Sequence, residues 1–168
     1  MRDQTWALLN DAKFKSYCLN FLVYRYQKWD RNINIFLALA SSGSIAAWAI
    51  WQVNPIIWGI IIAVSQVLTV IKPYFPYFKY VKELNDKSSK VDMVNIDLEE
   101  LWYKLQNAKI SEDKAVEEYF AIKKKLTDIL SFTDDTIINV DKKIEKKANE
   151  RMQVYLKNNY QILIDINT

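Results

Sequence analysis

Residues 32–71 read NINIFLALASSGSIAAWAIWQVNPIIWGIIIAVSQVLTVI and contain no Asp, Glu, Lys or Arg. Charged residues make up 26% of the chain, so an uncharged stretch of this length is unusual in it. A transmembrane helix needs about 20 mostly apolar residues, and the stretch is long enough for two. It is interrupted at Asn54-Pro55, because a proline keeps the residue before it out of the helical conformation. We therefore predict a hairpin of two membrane-spanning helices, residues 33–51 and Pro55–Ile71.

Lysine and arginine flank the predicted hairpin on both sides, whereas the loop between its helices carries no charge. The flanking basic residues are Arg25, Lys28, Arg31, Lys72, Lys79 and Lys82. Basic flanks stay on the cytoplasmic side of a membrane, so we expect the hairpin in the inner (cytoplasmic) membrane with both termini in the cytoplasm. The alternative is a buried hairpin of a soluble bundle, but a soluble helix normally has a polar face, and residues 56–62 have none.

The two predicted spans differ in side-chain size. The first is rich in small and hydroxyl residues, which let helices approach closely within lipid. The second is bulky and β-branched, with Ile57 and Ile61 expected on the lipid side. We predict that one set of residues lines a pore between chains or packs helices together: Ser41, Ser42, Gly43, Ser44, Ala46, Ala47 and Gln66. In the alternative interpretation, the hydroxyl groups form hydrogen bonds within the hairpin or to their own helix.

The segments outside the hairpin have helical periodicity. Residues 5–30 predict an amphipathic helix that either lies along the inner membrane interface or packs on the cytoplasmic domain. After Pro76, apolar residues recur in alternating steps of three and four, as in a coiled coil, and predict the seam of an oligomer or a bundle. The seam consists of Leu84, Val91, Val94, Leu98, Leu101 and Leu105.

Two further helices are predicted after this seam. A turn at residues 107–109 precedes a helix capped by Ser111, and the last helix is expected from about Thr136, with Asp134 or Asp135 as its cap. The chain is therefore predicted to be an all-α integral membrane protein in three parts. Residues 1–31 form a cytoplasmic or interfacial helix, residues 32–72 a transmembrane hairpin, and residues 73–168 a helical cytoplasmic bundle with heptad seams.

The composition argues against an enzyme. The chain has no His, one Cys (Cys18) and two Gly, which removes the usual general base, Cys-cluster metal sites and glycine-rich phosphate loops. We predict no catalytic, cofactor-binding or metal site. The lysine-rich stretches, residues 123–125 and 142–147, are interpreted as solvated helix faces because acidic residues accompany the second of them. No direct contact with nucleic acid is expected, whereas a role in nucleotide binding stays open.

The order of these parts resembles a known kind of protein. A first helix ends in Trp29-Asp30-Arg31, a hairpin with a small-residue first span follows, and Lys72-Pro73-Tyr74 leads into a helical tail. This layout resembles the SLATT-type two-transmembrane effectors of bacterial conflict systems, and small CRISPR-associated membrane effectors are similar. The resemblance implies a pore-forming or membrane-disrupting protein that acts after phage infection, under the control of a cytosolic defence partner or its nucleotide signal.

Two functions are compatible with the sequence. The first is an oligomeric membrane effector of bacterial antiviral defence that forms a pore or depolarises the membrane. One hairpin encloses no lumen, so a pore needs several chains, and we expect a homo-oligomer of four or more in the lipid bilayer. The alternative is a non-conducting membrane anchor or scaffold that recruits a cytosolic partner through its helical domain.

Overall fold

A computed structural model describes residues 1–42, 55–74, 76–131 and 140–160. Within those ranges the regular secondary structure is helical, and no strand occurs. Its α-helices are α1 (Arg2–Ser42), α2 (Pro55–Ile71), α3 (Pro76–Gln106), α4 (Glu112–Leu130) and α5 (Lys142–Asn159), and a short 3-10 helix (Lys72–Tyr74) follows α2. The contacts divide the chain into two compact units. Unit 1 contains Met1–Val23 and Leu84–Thr168, and unit 2 contains Tyr24–Glu83.

Helix α1 is longer than the sequence patterns suggest. We expect an amphipathic helix up to residue 30 and a separate span from residue 33, but α1 runs without a break to Ser42. No glycine or proline occurs before Gly43, so no residue in this part of the chain disfavours the helical backbone. The remainder of the first predicted span, residues 43–51, lies outside the described residues.

Unit 1 is a helical bundle with its own hydrophobic core. The first part of α1 contributes Leu9, Ala12, Leu19 and Leu22, each at most 3% exposed. Side chains of α3, α4 and α5 complete the core: Leu84, Val91, Val94, Leu98, Leu101, Ala115, Tyr119, Leu126, Ile144, Ala148 and Leu156. The apolar face of residues 2–23 therefore packs on the helical bundle of unit 1.

The connections within unit 1 have clear local causes. After α3, the backbone N–H of Lys109 donates to the Lys104 carbonyl at 2.9 Å, and Ala108 takes a left-handed conformation with φ of 49°. Ser111 occupies the N-cap position of α4, as predicted, but its side chain forms no capping hydrogen bond. The prediction for the last helix is wrong at its start, because Val140 and Asp141 are not helical. Asp141 caps α5 instead, and its carboxylate accepts a hydrogen bond from the Lys143 backbone N–H. The predicted caps Asp134 and Asp135 lie outside the described residues.

Unit 2 contains the apolar helix of the chain. Ile56–Tyr74, which includes α2 and the 3-10 helix, is long and apolar enough to cross a membrane, with a mean hydropathy of 1.9. Among the described residues it is the one segment that meets this criterion. Its aliphatic side chains point outward: Ile56, Ile57, Ile60, Val64, Val67 and Val70 are all 44–78% exposed. A helix of this kind lacks the buried apolar face of a soluble bundle helix.

Candidate membrane-embedded site

Each helix of unit 2 has one line of reduced exposure. On α2 and the 3-10 helix, this line is Trp58, Ile61, Ser65, Leu68 and Lys72. On α1 from residue 26 onward, the less exposed side chains are Tyr26, Asp30, Ile33, Phe36, Leu37 and Ala40. Steps of three and four residues place each line on a single helix face. We call these two lines the hairpin seam.

Polar contacts show how the two helices meet at one end of the hairpin seam. The ammonium group of Lys72 lies 3.7 Å from the Asp30 carboxylate and donates a hydrogen bond to the side-chain carbonyl of Asn34. Asn34 in turn donates to Asp30 at 3.0 Å. The end of the apolar helix thus lies beside residues 30–34 of α1, as expected for an antiparallel hairpin.

The hydroxyl groups of α2 are satisfied within their own helix. Ser65, which is only 8% exposed, donates to the Ile62 carbonyl, and Thr69 donates to the Ser65 carbonyl, both at 2.8 Å. Gln66 differs from both, because its side chain is exposed and forms no hydrogen bond with another described residue. It lies among exposed aliphatic residues of α2.

The other predicted pore-lining or helix-packing residues are only partly covered by the structure. Ser41 and Ser42 form the end of α1. Gly43, Ser44, Ala46 and Ala47 lie outside the described residues. Of the expected lipid-facing pair, Ile57 is 54% exposed and Ile61 is half-buried on the hairpin seam. Ile61 shares its helix face with Trp58, one turn away, and with Leu68, two turns away, and both of these side chains are also half-buried.

The predicted seam of the cytoplasmic part lies inside unit 1. Leu84, Val91, Val94, Leu98 and Leu101 are at most 1% exposed. Leu105 is half-buried and packs against a cluster formed by Leu101, Ala115 and Tyr119. These side chains therefore contact helices of their own chain, and contacts between chains have to use other residues.

Unit 1 also contains an aromatic and charged cluster that sequence analysis did not find. It consists of Trp6, Lys13, Glu99, Trp102, Tyr155 and Tyr160, and we call it the tyrosine cluster. Lys13 forms a 2.8 Å ion pair with Glu99 and lies 4.3 Å from the centre of the Tyr155 ring. Tyr155 donates its hydroxyl hydrogen to Glu99. The Trp6 ring lies 5.0 Å from the Trp102 ring in a tilted arrangement and 5.0 Å from the Tyr160 ring edge to face, so the cluster joins α1, α3 and α5.

Burial raises the pKa of four described side chains in unit 1: Tyr17, Cys18, Tyr155 and Tyr160. It raises the pKa of Tyr155, and the hydrogen bond to Glu99 raises it further. Burial likewise raises the pKa of Tyr160. Cys18 is 6% exposed and lines a cleft of about 370 Å³, and burial raises the pKa of its thiol to about 11. These groups are therefore neutral at physiological pH, and the Cys18 thiol is poorly suited to nucleophilic chemistry.

The acidic and lysine-rich faces contain exposed ion pairs. Lys125 pairs with Asp97 at 2.9 Å and Lys104 with Glu118 at 3.2 Å, which connects α4 to α3. Lys146 lies 4.0 Å from Glu150. In the part of the chain that the structure describes, no group of three or more Cys, Asp and Glu side chains has an arrangement that could hold a metal ion.

No protein-family model matches the chain, and neither a curated protein nor a solved structure matches it significantly. Its function is therefore inferred from the geometry of the two units. The informative features are the apolar helix, its exposed Gln66 and the closed core of unit 1.

Proposed function

We propose that the chain is an integral membrane protein whose residues 32–72 form a two-helix transmembrane hairpin in the cytoplasmic membrane. Both termini and the helical residues 73–168 are then cytoplasmic. The exposed aliphatic surface of α2 supports this proposal, because an apolar surface of that extent is stable in lipid and unfavourable in water. The contact of Lys72 with Asp30 and Asn34 supports the return of the chain to the side from which it entered.

Within this membrane protein, Gln66 supports assembly into an oligomer. A side-chain amide that faces lipid without a partner is unfavourable, and membrane helices satisfy such groups with hydrogen bonds to neighbouring helices. Gln66 is exposed on α2, whereas Ser65 and Thr69 are satisfied by their own helix. In this proposal, the Gln66 amide forms its hydrogen bonds with the corresponding region of another chain.

The function that fits such an assembly is that of a pore-forming or membrane-depolarising effector. Four or more hairpins can enclose an aqueous path, which one hairpin cannot, with Gln66 at or beside its wall. The resemblance to two-transmembrane effectors of bacterial conflict systems adds antiviral defence as the setting. A cytosolic defence partner or its nucleotide signal is then the trigger.

The test compares Gln66→Leu with Val67→Leu, a substitution at a neighbouring exposed aliphatic position. We expect Gln66→Leu to weaken association by about fivefold for each helix–helix contact, because each interhelical hydrogen bond contributes about 1 kcal/mol. The molar mass of the full chain in mild detergent, measured over a concentration series, reports the change. Gln66→Asn retains the amide and should preserve assembly.

Ion flux separates a pore from a mere oligomer. We expect the wild-type chain to depolarise cells or to release ions from liposomes, and Gln66→Leu to do so less at matched expression. An oligomer that conducts no ions in the presence of its triggering partner would contradict the pore. A monomeric wild type at all concentrations would contradict the oligomer as well.

The anchor or scaffold is the second candidate, and an exposed stripe on α3 favours it. Met93, Ile96 and Tyr103 are 57–63% exposed on one face of α3, opposite the buried seam. A cytosolic partner could be recruited through such a stripe. Met93→Lys with Ile96→Lys would then abolish recruitment without changing membrane insertion, whereas a pore independent of recruitment would be unaffected.

A further inference from the structure

We propose that Lys28 and Arg31 form a binding surface for anionic phospholipid headgroups at the cytoplasmic end of the hairpin. This inference rests on the proposed membrane insertion of residues 32–72. It adds a specific partner chemistry, namely a phosphate-bearing lipid with a net negative charge, and it names the residues that recognise it.

One face of α1 carries a stripe of exposed side chains. Tyr24, Lys28, Arg31, Ile35 and Leu39 follow each other in steps of three and four residues, so they lie on one face of the helix. All five are exposed, and Tyr24, Ile35 and Leu39 are 61%, 51% and 67% exposed. The stripe therefore changes from aromatic to cationic to aliphatic along a single line.

This order matches the order of groups across a lipid leaflet. Arg31 precedes Ile35 by one helical turn, which is about 6 Å along the axis. Aliphatic side chains contact acyl chains, cations contact phosphate groups, and tyrosine and tryptophan prefer the interface. Trp29 (54% exposed) and Tyr74 (82% exposed) are further interfacial aromatic residues of the same unit.

The basic residues of unit 2 outnumber its acidic residues. Unit 2 contains six Lys and Arg residues but only Asp30 and Glu83 as acidic residues. Asp30 lies on the hairpin seam, where it pairs with Lys72 and accepts a hydrogen bond from Asn34. The negative charge of Asp30 is thus compensated on a face of α1 that does not include the exposed stripe. Lys28 and Arg31 form no ion pair with any described residue, so their positive charges are directed to the surroundings.

Two adjacent cations at the headgroup level favour anionic over zwitterionic lipid. Each basic residue near an anionic membrane surface contributes about 1 kcal/mol of attraction, which corresponds to about fivefold in affinity. The guanidinium group of Arg31 can also bind a phosphate group through two parallel hydrogen bonds. Phosphatidylglycerol is a suitable probe, with phosphatidylcholine as the zwitterionic reference.

The experiment reconstitutes the full chain in phosphatidylcholine bilayers that contain a trace of spin-labelled phosphatidylglycerol or spin-labelled phosphatidylcholine. Electron paramagnetic resonance measures the motionally restricted fraction of each lipid at the protein surface. We expect preferential association of phosphatidylglycerol with the wild type, and a loss of about fivefold in its relative association for each cation removed in Lys28→Gln and Arg31→Gln. High salt should reduce the preference.

Two matched variants control for total charge and for folding. Lys142→Gln with Lys143→Gln removes the same charge from exposed positions on α5 and should leave the preference unchanged. Lys28→Arg with Arg31→Lys keeps the charge and should retain most of it. If the wild type restricts both lipids equally, the inference is wrong although the hairpin is inserted. If no lipid is restricted at all, membrane insertion itself is wrong.

Discussion

Tyr155 combines three interactions in one side chain. Its hydroxyl donates to Glu99, its ring lies 4.3 Å from the Lys13 ammonium, and the same ring packs edge to face against Tyr160 at 6.1 Å. Lys13, Glu99 and Tyr155 belong to helices far apart in the sequence, so this one residue contributes to holding α1, α3 and α5 together. No local pattern marks these residues, which is why the tyrosine cluster was not predicted from the sequence.

Replacement of Tyr155 by Phe removes the hydroxyl and keeps the ring. We expect the free energy of unfolding to fall by about 1–2 kcal/mol, because Glu99 loses a hydrogen bond to its charged carboxylate. Tryptophan fluorescence during denaturant unfolding of the full chain in detergent measures the change. Tyr24→Phe, at a position that is 61% exposed, is the control and should have little effect.

The same substitution changes the dependence of stability on pH. The pKa of Tyr155 is raised above its usual value of 10 in the folded chain, so the unfolded state releases this proton first as the pH rises. The stabilisation is complete below pH 10 and is lost above it. Above pH 10 the wild type should therefore lose stability more steeply than Tyr155→Phe. Parallel curves would show that the tyrosine hydroxyl is not protected by the fold.

The burial of Asn95 is a second feature that the sequence pattern does not predict. It is 1% exposed in the core of unit 1, and neither polar atom of its amide has a hydrogen-bond partner. In the sequence, Asn95 follows Val94 and precedes Ile96, and its position gives no sign of burial without pairing. A buried amide of this kind destabilises a fold by about 1–3 kcal/mol.

The helices themselves were largely predictable. The uncharged stretch, Asn54-Pro55 and the three-and-four spacing after Pro76 indicated α2 and α3, because these are local signals of composition and period. The hairpin seam was not, since Trp58, Ile61 and Leu68 differ little in polarity from their exposed neighbours. Only the exposure of its side chains in the folded chain distinguishes the two faces of such an apolar helix.

The hairpin seam predicts that adjacent positions on α2 respond differently to enlargement. Ser65→Leu adds volume at a position on the hairpin seam that is only 8% exposed, and it should reduce the stability of the hairpin by about 1–3 kcal/mol. Val64→Leu adds volume at a position that is 44% exposed and should be tolerated. Thermal aggregation of the detergent-solubilised chain measures both, and equal behaviour of the two variants would contradict the seam.

At the scale of the whole chain, the two units differ in the medium that suits them. Unit 1 encloses a hydrophobic core and exposes ion pairs such as Lys125–Asp97. Unit 2 exposes aliphatic residues along α2 and places cations near the ends of the hairpin. The sequence predicted this contrast through its charge distribution, but it did not predict that Met1–Val23 belongs with Leu84–Thr168, because that pairing connects residues distant in the chain.

The membrane topology of the whole chain can be tested directly. We expect the protein to stay with the inner-membrane fraction after carbonate extraction, because the proposed insertion buries the apolar surface of α2 in lipid. Epitope tags at both termini should resist protease in intact spheroplasts and be digested after lysis. Recovery in the soluble fraction, or digestion of one tag before lysis, would contradict the proposed hairpin.

The burial of Cys18 has a practical consequence for biophysical work. The chain has a single thiol, and at its raised pKa of about 11 only about one molecule in ten thousand carries the reactive thiolate at pH 7. Maleimide and nitroxide reagents should therefore modify newly introduced surface cysteines far faster than the native one. Site-directed labelling for distance measurements can accordingly begin from the natural sequence, without a background substitution in the core.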